Sequence, residues 1–408
     1  MNKFIFLTQS ISGITGNQRY VNNKTRYLQK KGWEVIVLWN YNISPVELEY
    51  VKCFDNKKYI HHELKFFPSW FSKSERNKVV ERLAEVIGEA DKIVIESNKL
   101  ELGAWGELLA MKLHCKHINF VTSEGIVIRN KATFDYCYAK LQRNEFFNIN
   151  PATVLSFFSR FITVESPEKY FWSASQKVEV KEYAFPAFDN LPSSDFTITS
   201  FGRRKDYFPC MLDELNRFAS QHRDKSFNIF FLGALSDEFE IRNSLTSGNI
   251  HLSIFPKEVE TIPLQVFTKS DVIIATAGCA SKASRYMPNV IAMDVNTQEP
   301  LGLLRRTTMD SNAFSGKYKN DKSIYQWLES ILIKGDTYPL LETRKISHGF
   351  DYQMQFVNQC DYKYIDSTKV TEPMTRHDKL YAFLVKVGLF HLVEYFYYKK
   401  RGVKIIRR

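Results

Sequence analysis

The segment Asp271–Asp294, DVIIATAGCASKASRYMPNVIAMD, constrains the fold of this chain more than any other. An apolar run at Val272–Ala275 leads into a turn of small residues, Thr276–Ala280. A short segment with helical composition, Pro288 and a second apolar run at Asn289–Met293 follow. This order predicts a βαβ unit of a parallel sheet. Small residues at the turn would leave backbone N–H groups at a helix N-terminus facing outward, so we expect a phosphate-bearing ligand to bind there.

Strand and helix patterns alternate through the rest of the second half as well. A polar segment with prolines, Pro186–Ser194, reads as a linker between domains, and the alternation starts again after it. The predicted strands are Thr197–Phe201, Asn228–Leu232 and Ile250–Phe255, and the predicted helices are Pro209–Gln221, Glu238–Leu245 and Ile262–Thr268.

The first half shows the same alternation, so we predict an α/β fold of two Rossmann-like, doubly wound domains that face a cleft. The expected domains are 1–190, 195–335 and a third segment, 336–408, of C-terminal helices with a basic amphipathic tail. In the first half the predicted strands are Phe4–Leu7, Glu34–Leu38, Lys92–Ile95, His117–Thr122 and Phe161–Val164, and the predicted helices are Gln18–Trp33, Ser74–Glu89, Leu100–His114 and Phe134–Phe147.

Composition excludes several classes of protein. With 408 residues, 44% hydrophobic and 25% charged, the chain has the size and balance of a two-domain globular protein. It contains no run of about 18 uncharged apolar residues, so we expect no membrane-spanning helix. The N-terminus turns polar too soon for a signal peptide. Six cysteines without a C-x-x-C pair suit a reducing cytosol and argue against a disulfide framework.

The net charge of +11 is concentrated at the C-terminus. From Arg376 to Arg408 there are nine Lys and Arg against Asp378 and Glu394, a net charge of +7 that leaves +4 for the rest. Between these charges lies an apolar, aromatic segment, Leu380–Tyr398. It could lie in an anionic membrane interface, or it could pack back on the first domain with a solvated basic end. Nucleic-acid binding is not expected from this tail alone.

Glycines that follow predicted strands are the candidate ligand-binding positions, because ligands of such sheets bind at the carboxyl ends of the strands. Each half begins with a strand and a glycine-bearing turn. Arg203 and Lys205 could neutralise a diphosphate, and a solvated basic turn is the alternative. Ser281 could cap the next helix or touch a phosphate. The glycine candidates are Gly13, Gly16, Gly202, Gly233 and Gly278.

The order of motifs from Ser200 to Asp294 resembles the donor domain of GT-B glycosyltransferases. Strand-Gly-Arg-x-Lys at 198–205 resembles the first turn of that domain, and IFFLGAL at 229–235 resembles its central strand and glycine. The segment 267–294 resembles its nucleotide-sugar motif. The N-terminal strand, ISGITGNQRYV and KKGWEVIVLW resemble the acceptor domain. The resemblance spans most of residues 1–335 and implies transfer of a sugar from a nucleotide-diphosphate donor.

One departure from the family concerns its acidic residues. Retaining members carry two glutamates eight positions apart around the nucleotide-sugar helix, whereas this chain has no carboxylate there before Asp294. Stereochemistry is therefore left open. An inverting transfer needs a base for the acceptor hydroxyl. Glu124 is the first candidate and Glu96 the second. Asp206 and Asp294 are further candidates for the base, with a weaker placement in the predicted fold.

The resemblance implies a nucleotide sugar as co-substrate and no further cofactor. His61-His62 and His114-x-x-His117 lack partners at ligand spacing, so we expect surface or core histidines and no metal. The expected acceptor is a glycan or lipid-linked molecule of bacterial surface polysaccharide synthesis, at the cytoplasmic face of the membrane. Two alternatives stay open: transfer of another group, such as pyruvyl or phosphoryl, and a degenerate scaffold that only binds.

We predict that Arg203→Ala and Lys205→Ala each weaken the binding of nucleoside diphosphates about tenfold, because each removes a charge-assisted hydrogen bond. Isothermal titration calorimetry measures the affinity. Unchanged affinity in both variants would contradict this placement of the diphosphate.

Overall fold

The computed structural model divides into two compact units, the first domain (1–176 and 346–408) and the second domain (177–345). The structure describes residues 1–11, 16–40, 60–123, 126–172, 180–202, 207–233, 238–256, 259, 261–294, 297–309, 321–341, 349–358 and 363–399.

The first domain contains a five-stranded parallel sheet of order β2-β1-β3-β4-β5. The strands are β1 Asn2–Thr8, β2 Glu34–Trp39, β3 Lys92–Ser97, β4 Lys116–Val121 and β5 Phe146–Asn148. The helices along this part of the chain are α1 Gly16–Lys30, α2 Lys73–Ile87, α3 Leu100–Leu113, α4 Lys131–Gln142 and α5 Pro151–Phe158.

Alternating side chains of these strands build two cores, one on each face of the sheet. Ile5 and Leu7 of β1 belong to one buried cluster, and Phe4 and Phe6 belong to the other. Both faces are covered, which explains why the strands are continuous apolar runs rather than alternating ones.

Two predictions in this half were wrong. Phe161–Val164 is not a strand, and the fifth strand, Phe146–Asn148, overlaps the end of the predicted helix 134–147. That helix ends at Gln142, and Asn144 adopts a positive φ of 54°, which turns the chain out of the helix. The apolar residues of β5 suit a strand as well as a helix, so pattern alone did not separate the two.

The second domain contains a six-stranded sheet of order β13-β12-β11-β7-β8-β9, parallel except for the edge strand β13. Its strands are β7 Phe196–Phe201, β8 Phe227–Leu232, β9 Ile250–Phe255, β11 Val272–Ala275, β12 Val290–Met293 and β13 Pro300–Leu303, and β6 Val180–Lys181 pairs with β10 Ile262–Pro263. Its helices are α6 Pro186–Asp189, α7 Phe208–Gln221, α8 Glu238–Ser244, α9 Leu264–Thr268, α10 Ala277–Ala283 and α11 Ile324–Leu328, which continues as a π-helical turn, Glu329–Ile333. The predicted α/β class with doubly wound parallel sheets is confirmed.

The domain boundary lies earlier than the predicted 190/195. Phe185 and Phe188 are buried in the core of the second domain with Phe230 and Val266. The Pro-containing segment that reads as a linker is therefore a packed part of the second domain, because its two phenylalanines find an apolar surface there.

The last segment belongs to the first domain and is not a separate unit. Its helices are α12 Phe350–Asn358, α13 Arg376–Lys386 and α14 Phe390–Lys399. Val357, Val385 and Val393 are fully buried in the two cores of the first domain. Of the alternatives for the tail, packing on the first domain is confirmed for α13 and α14. Among the described helices, none is long and apolar enough to cross a bilayer.

Candidate functional site

The order of the second sheet reverses between β7 and β11. From β7 the chain proceeds to β8 and β9 on one side, whereas β11 and β12 lie on the other. The loops that follow β7 and β11 therefore diverge, and the crevice at their carboxyl ends is where doubly wound sheets bind ligands. Gly202 follows β7, and Thr276 follows β11. The predicted anion-binding segment, Asp271–Asp294, therefore contributes the loop on the β11 side of this crevice.

Two predicted glycines meet at this edge. Gly202 and Gly233 have φ of +128° and +147°, and the Gly202 amide donates to the Leu232 carbonyl at 2.8 Å. A Cβ on Gly233 would lie 2.2 Å from the Gly202 carbonyl oxygen, and one on Gly202 would lie 3.1 Å from Cys279 Sγ. Position 233 therefore requires glycine both for its backbone angles and for space.

Helix α10 begins beside these turns. The Thr276 hydroxyl donates to the Met293 carbonyl at 2.8 Å and so ties the start of α10 to the end of β12. Ala277 has a φ of +51°, and the exposed Gly278 follows it. Apart from its own helix backbone and chain neighbours, no atom of the described residues lies within 4 Å of where a Cβ on Gly278 would be. Gly278 thus faces open space at the switch point. Ser281 lies inside α10 and is not its N-cap, since Thr276 occupies that position.

Several predicted site residues lie outside the described residues. They are Gly13, Glu124, Arg203, Lys205 and Asp206. Gly16 is described and begins α1, where it is exposed. Asp294 follows β12 and is buried.

A polar layer lies at the carboxyl edge of the first sheet, whose order reverses between β1 and β3. Asn17 donates to the Thr8 hydroxyl at 2.7 Å, and its Oδ1 accepts from the Thr122 hydroxyl at 3.3 Å. The same hydroxyl is 3.2 Å from the Asn98 carbonyl. These contacts join the loops after β1, β3 and β4. The sequence analysis missed Asn17, Asn98 and Thr122, although each follows a strand or opens a helix after one.

Glu96 does not face an open surface. Its side chain is fully buried and forms an ion pair with Lys24 of α1, which is also fully buried. Lys24 Nζ lies 2.9 Å from the Tyr20 hydroxyl and 4.7 Å from the Trp172 ring centre. Burial lowers the pKa of Lys24, against the opposing effect of Glu96. An acceptor hydroxyl cannot reach Glu96 in this arrangement, so its predicted role as the base fits the structure poorly.

A second buried network lies on one face of the same sheet. His117 Nε2 is 2.9 Å from Ser97 Oγ, and His117 Nδ1 is 2.9 Å from Glu107 Oε2. Lys140 Nζ lies 2.7 Å from the same carboxylate oxygen. The expectation of a core histidine at 117 is thus confirmed.

The order hydroxyl, imidazole, carboxylate is that of a hydrolase triad, but here it is covered by protein. A Cβ on Gly106 of α3 would lie 2.5 Å from Ser97 Oγ and 2.4 Å from His117 Nε2. The backbone of α3 therefore blocks the hydroxyl. Glu107 also accepts from the Ile365 amide at 2.9 Å, so the network fastens the C-terminal segment to the domain.

A pocket of about 300 Å³ opens where the loops after β3 and β4 meet the C-terminal segment. Ile126, two residues after Glu124, lies in its wall. Its lining combines apolar residues with one cation, one acid and two hydroxyls: Leu100, Ile126, Val127, Ile128, Arg129, Thr133, Thr371, Glu372 and Pro373. Among the described residues, no group of three or more His, Cys, Asp or Glu is arranged to hold a metal ion.

No protein-family model matches the chain, and no curated protein matches it. Among solved structures it is similar to HepE of Anabaena in complex with UDP, with 12% identity over 81% of this chain and 89% of that chain and a TM-score of 0.48. It is also similar to a glycosyltransferase of Rickettsia africae, with 13% identity over 72% of this chain and 79% of that chain and a TM-score of 0.47. A third similar structure is the UDP-GlcNAc 2-epimerase of Neisseria meningitidis bound to UDP-GlcNAc. It has 14% identity over 90% of this chain and 97% of that chain, and the TM-score is 0.41.

We predict that acid destabilises the first domain through His117. Burial and the neighbouring Lys140 lower its pKa to about 4, whereas the unfolded chain titrates near 6.5. As pH falls below about 6.5 the unfolded state binds the proton first, so stability is lost between about pH 6.5 and 4. From pH 7 to 5 this loss is about 2 kcal/mol.

Urea unfolding followed by tryptophan fluorescence measures this loss, since five of the six tryptophans lie in the first domain. The loss should be absent in His117→Gln and retained in the control His114→Asn, which changes an exposed histidine. An equal pH dependence in wild type and His117→Gln would refute the assignment.

Proposed function

We propose that this protein is a glycosyltransferase that moves a sugar from a nucleoside-diphosphate donor, with the diphosphate bound at the carboxyl edge of the second sheet. The observation that carries the proposal is the switch point between β7 and β11, with its two close-packed glycine turns and the open space beside Gly278. A diphosphate needs backbone N–H groups at short range, and only turns without side chains allow that approach.

Cations complete the donor site in this proposal. Arg203 and Lys205 come one and three residues after Gly202 in the sequence, and they are the proposed cations. Positive charge there stabilises the departing nucleoside diphosphate in the transition state, the role that a metal ion has in other transferases. The proposed transfer is therefore independent of a metal and of any further cofactor.

The acceptor in this proposal binds at the pocket of the first domain. Apolar walls beside Arg129 and two threonine hydroxyls suit a glycan or a lipid-linked sugar. Glu124, two residues before Ile126, is the proposed base, and the buried ion pair of Glu96 with Lys24 favours it further. The sequence resemblance supports a hexosyl donor and bacterial surface polysaccharide as the context.

One observation favours a second candidate. Residues 276–293 lack the paired glutamates of retaining relatives, and a scaffold that binds a nucleotide sugar without transferring it has no need of them. Nucleotide binding without turnover on a panel of acceptors would identify that function.

We predict that Gly278→Leu abolishes nucleotide binding without unfolding the protein. The new side chain enters open space, so it strains nothing, yet it fills the volume that a diphosphate would occupy. Gly248→Leu is the matched control, because Gly248 also faces open space and is exposed.

Melting temperature with and without UDP, GDP, ADP or dTDP provides the measurement for both variants. The wild type and Gly248→Leu should be stabilised by one of these nucleotides, and Gly278→Leu should not. Equal stabilisation of Gly278→Leu would place the nucleotide elsewhere.

We predict that Glu124→Gln lowers turnover by about 100-fold or more, because the amide cannot accept the acceptor proton. Affinity for the donor should stay at the wild-type value. Release of nucleoside diphosphate in the presence of acceptor measures turnover, and wild-type turnover in this variant would remove Glu124 from the mechanism.

A further inference from the structure

Helices α13 and α14 form a hairpin whose ends are fixed by capping. The Thr375 hydroxyl accepts from the Asp378 amide at 3.2 Å, and the Asp378 carboxylate accepts from the Thr375 amide at 2.9 Å. At the turn, Gly388 has a φ of +84° and the Leu389 amide donates to the Leu384 carbonyl at 2.8 Å. This is the bond pattern of a Schellman turn, so the two helices hold a defined orientation.

The inner face of the hairpin packs on the first domain. Val385 and Val393 are fully buried. The Phe390 ring centre lies 5.8 Å from that of Phe66 and 5.6 Å from that of Phe71. The opposite side of both helices therefore faces away from the core of this domain.

That opposite side, here named the outer face, is apolar. Of the thirteen large hydrophobic residues that are exposed in the described part of the chain, five lie on this hairpin, so apolar exposure is concentrated there. Their exposed fractions are 54% for Leu380, 61% for Phe383, 52% for Val387, 37% for Leu392 and 54% for Phe396.

Cations of α13 lie on the same outer face. Arg376, Lys379 and Lys386 are exposed and recur at helical spacing with Leu380 and Phe383, which places them on one face. The outer face is therefore a mixed stripe of phenylalanine, leucine, lysine and arginine.

Four acids lie near the hairpin, and two of them are engaged by other groups. Asp378 is held in the helix cap, and Glu394 lies 3.9 Å from His62 Nε2. Glu75 of α2 approaches the turn at Gly388. Glu372 before α13 is exposed and lines the pocket of the first domain, where desolvation of its carboxyl raises its pKa. The charge presented on the outer face is thus positive.

We propose that the outer face binds the surface of an anionic lipid bilayer. Apolar side chains enter the boundary between headgroups and acyl chains while cations of the same face meet anionic headgroups. A second copy of the chain fits this face less well, since a symmetric contact would bring Lys379 and Lys386 against their own equivalents. The proposal does not depend on the transferase activity, because the proposed donor site is in the other domain.

Co-sedimentation of the full chain with phosphatidylcholine vesicles, with and without phosphatidylglycerol, tests this. Wild type should sediment only with the anionic vesicles, and more weakly at high salt. Lys379→Glu combined with Lys386→Glu should lower the partition coefficient more than about tenfold, since each cation near the surface contributes about 1 kcal/mol. Phe383→Ser combined with Phe396→Ser should lower it by a similar factor.

Two controls change exposed residues of the second domain. Lys334→Glu and Phe239→Ser should sediment as wild type does. Melting temperature and nucleotide binding should be unchanged in all variants, which separates a failure here from a failure of the proposed function.

Three outcomes would overturn the proposal. They are equal sedimentation with neutral and anionic vesicles, wild-type sedimentation of the outer-face variants, and a wild-type dimer in sedimentation velocity that Phe383→Ser and Phe396→Ser dissolve. The last would identify the outer face as a contact between two copies of the chain.

Discussion

The turn after β8 lies so close to the turn after β7 that a single added carbon at position 233 would meet the Gly202 carbonyl oxygen at 2.2 Å. This backbone contact fixes the carboxyl edge of the second sheet at its switch point. Near this edge Gly278 is exposed, and among the described residues outside its own helix backbone and chain neighbours no atom lies within 4 Å of where its Cβ would be. The proposed diphosphate site follows from this packing, because turns without a Cβ let a ligand approach the backbone at the switch point. The Gly202 and Gly233 amides themselves donate to the Leu232 and Phe255 carbonyls and so hold the two turns in place.

The first domain depends on a different constraint, which is that its buried charged side chains must be paired. Lys24 with Glu96, and Glu107 with His117 and Lys140, are buried pairs that cost free energy unless each partner is matched. Each network also binds a segment that is remote in sequence. The hydroxyl of Tyr20, beside Lys24, donates to Gln353 Oε1 at 3.0 Å, and the Glu107 carboxylate accepts from the Ile365 amide. The buried charges therefore attach the C-terminal segment to this domain, and through it they position the hairpin whose outer face is proposed to meet the membrane.

The sequence was sufficient for the fold wherever the apolar runs were long. The unit Asp271–Asp294 has the predicted strand, helix and strand, and the fold class follows from the alternation around it. Pattern failed at β5, where three residues between two helices carry too little periodicity, and at Pro186–Ser194, where proline suggested a linker although Phe188 is buried. The glycines of the candidate site were predictable because they follow strands. The burial of Glu96 was not, since its partner Lys24 lies in a helix far away in sequence, and tertiary contact alone brings them together.

The central claim is that the switch-point edge of the second domain holds a nucleoside diphosphate. Hydrogen–deuterium exchange of the full chain, with and without a saturating nucleotide, tests it most directly because it reports every backbone amide. The account predicts slower exchange in the three segments around Gly202, Gly233 and Gly278, with the first sheet unchanged. Protection confined to the first domain, or to segments remote from these glycines, would contradict it.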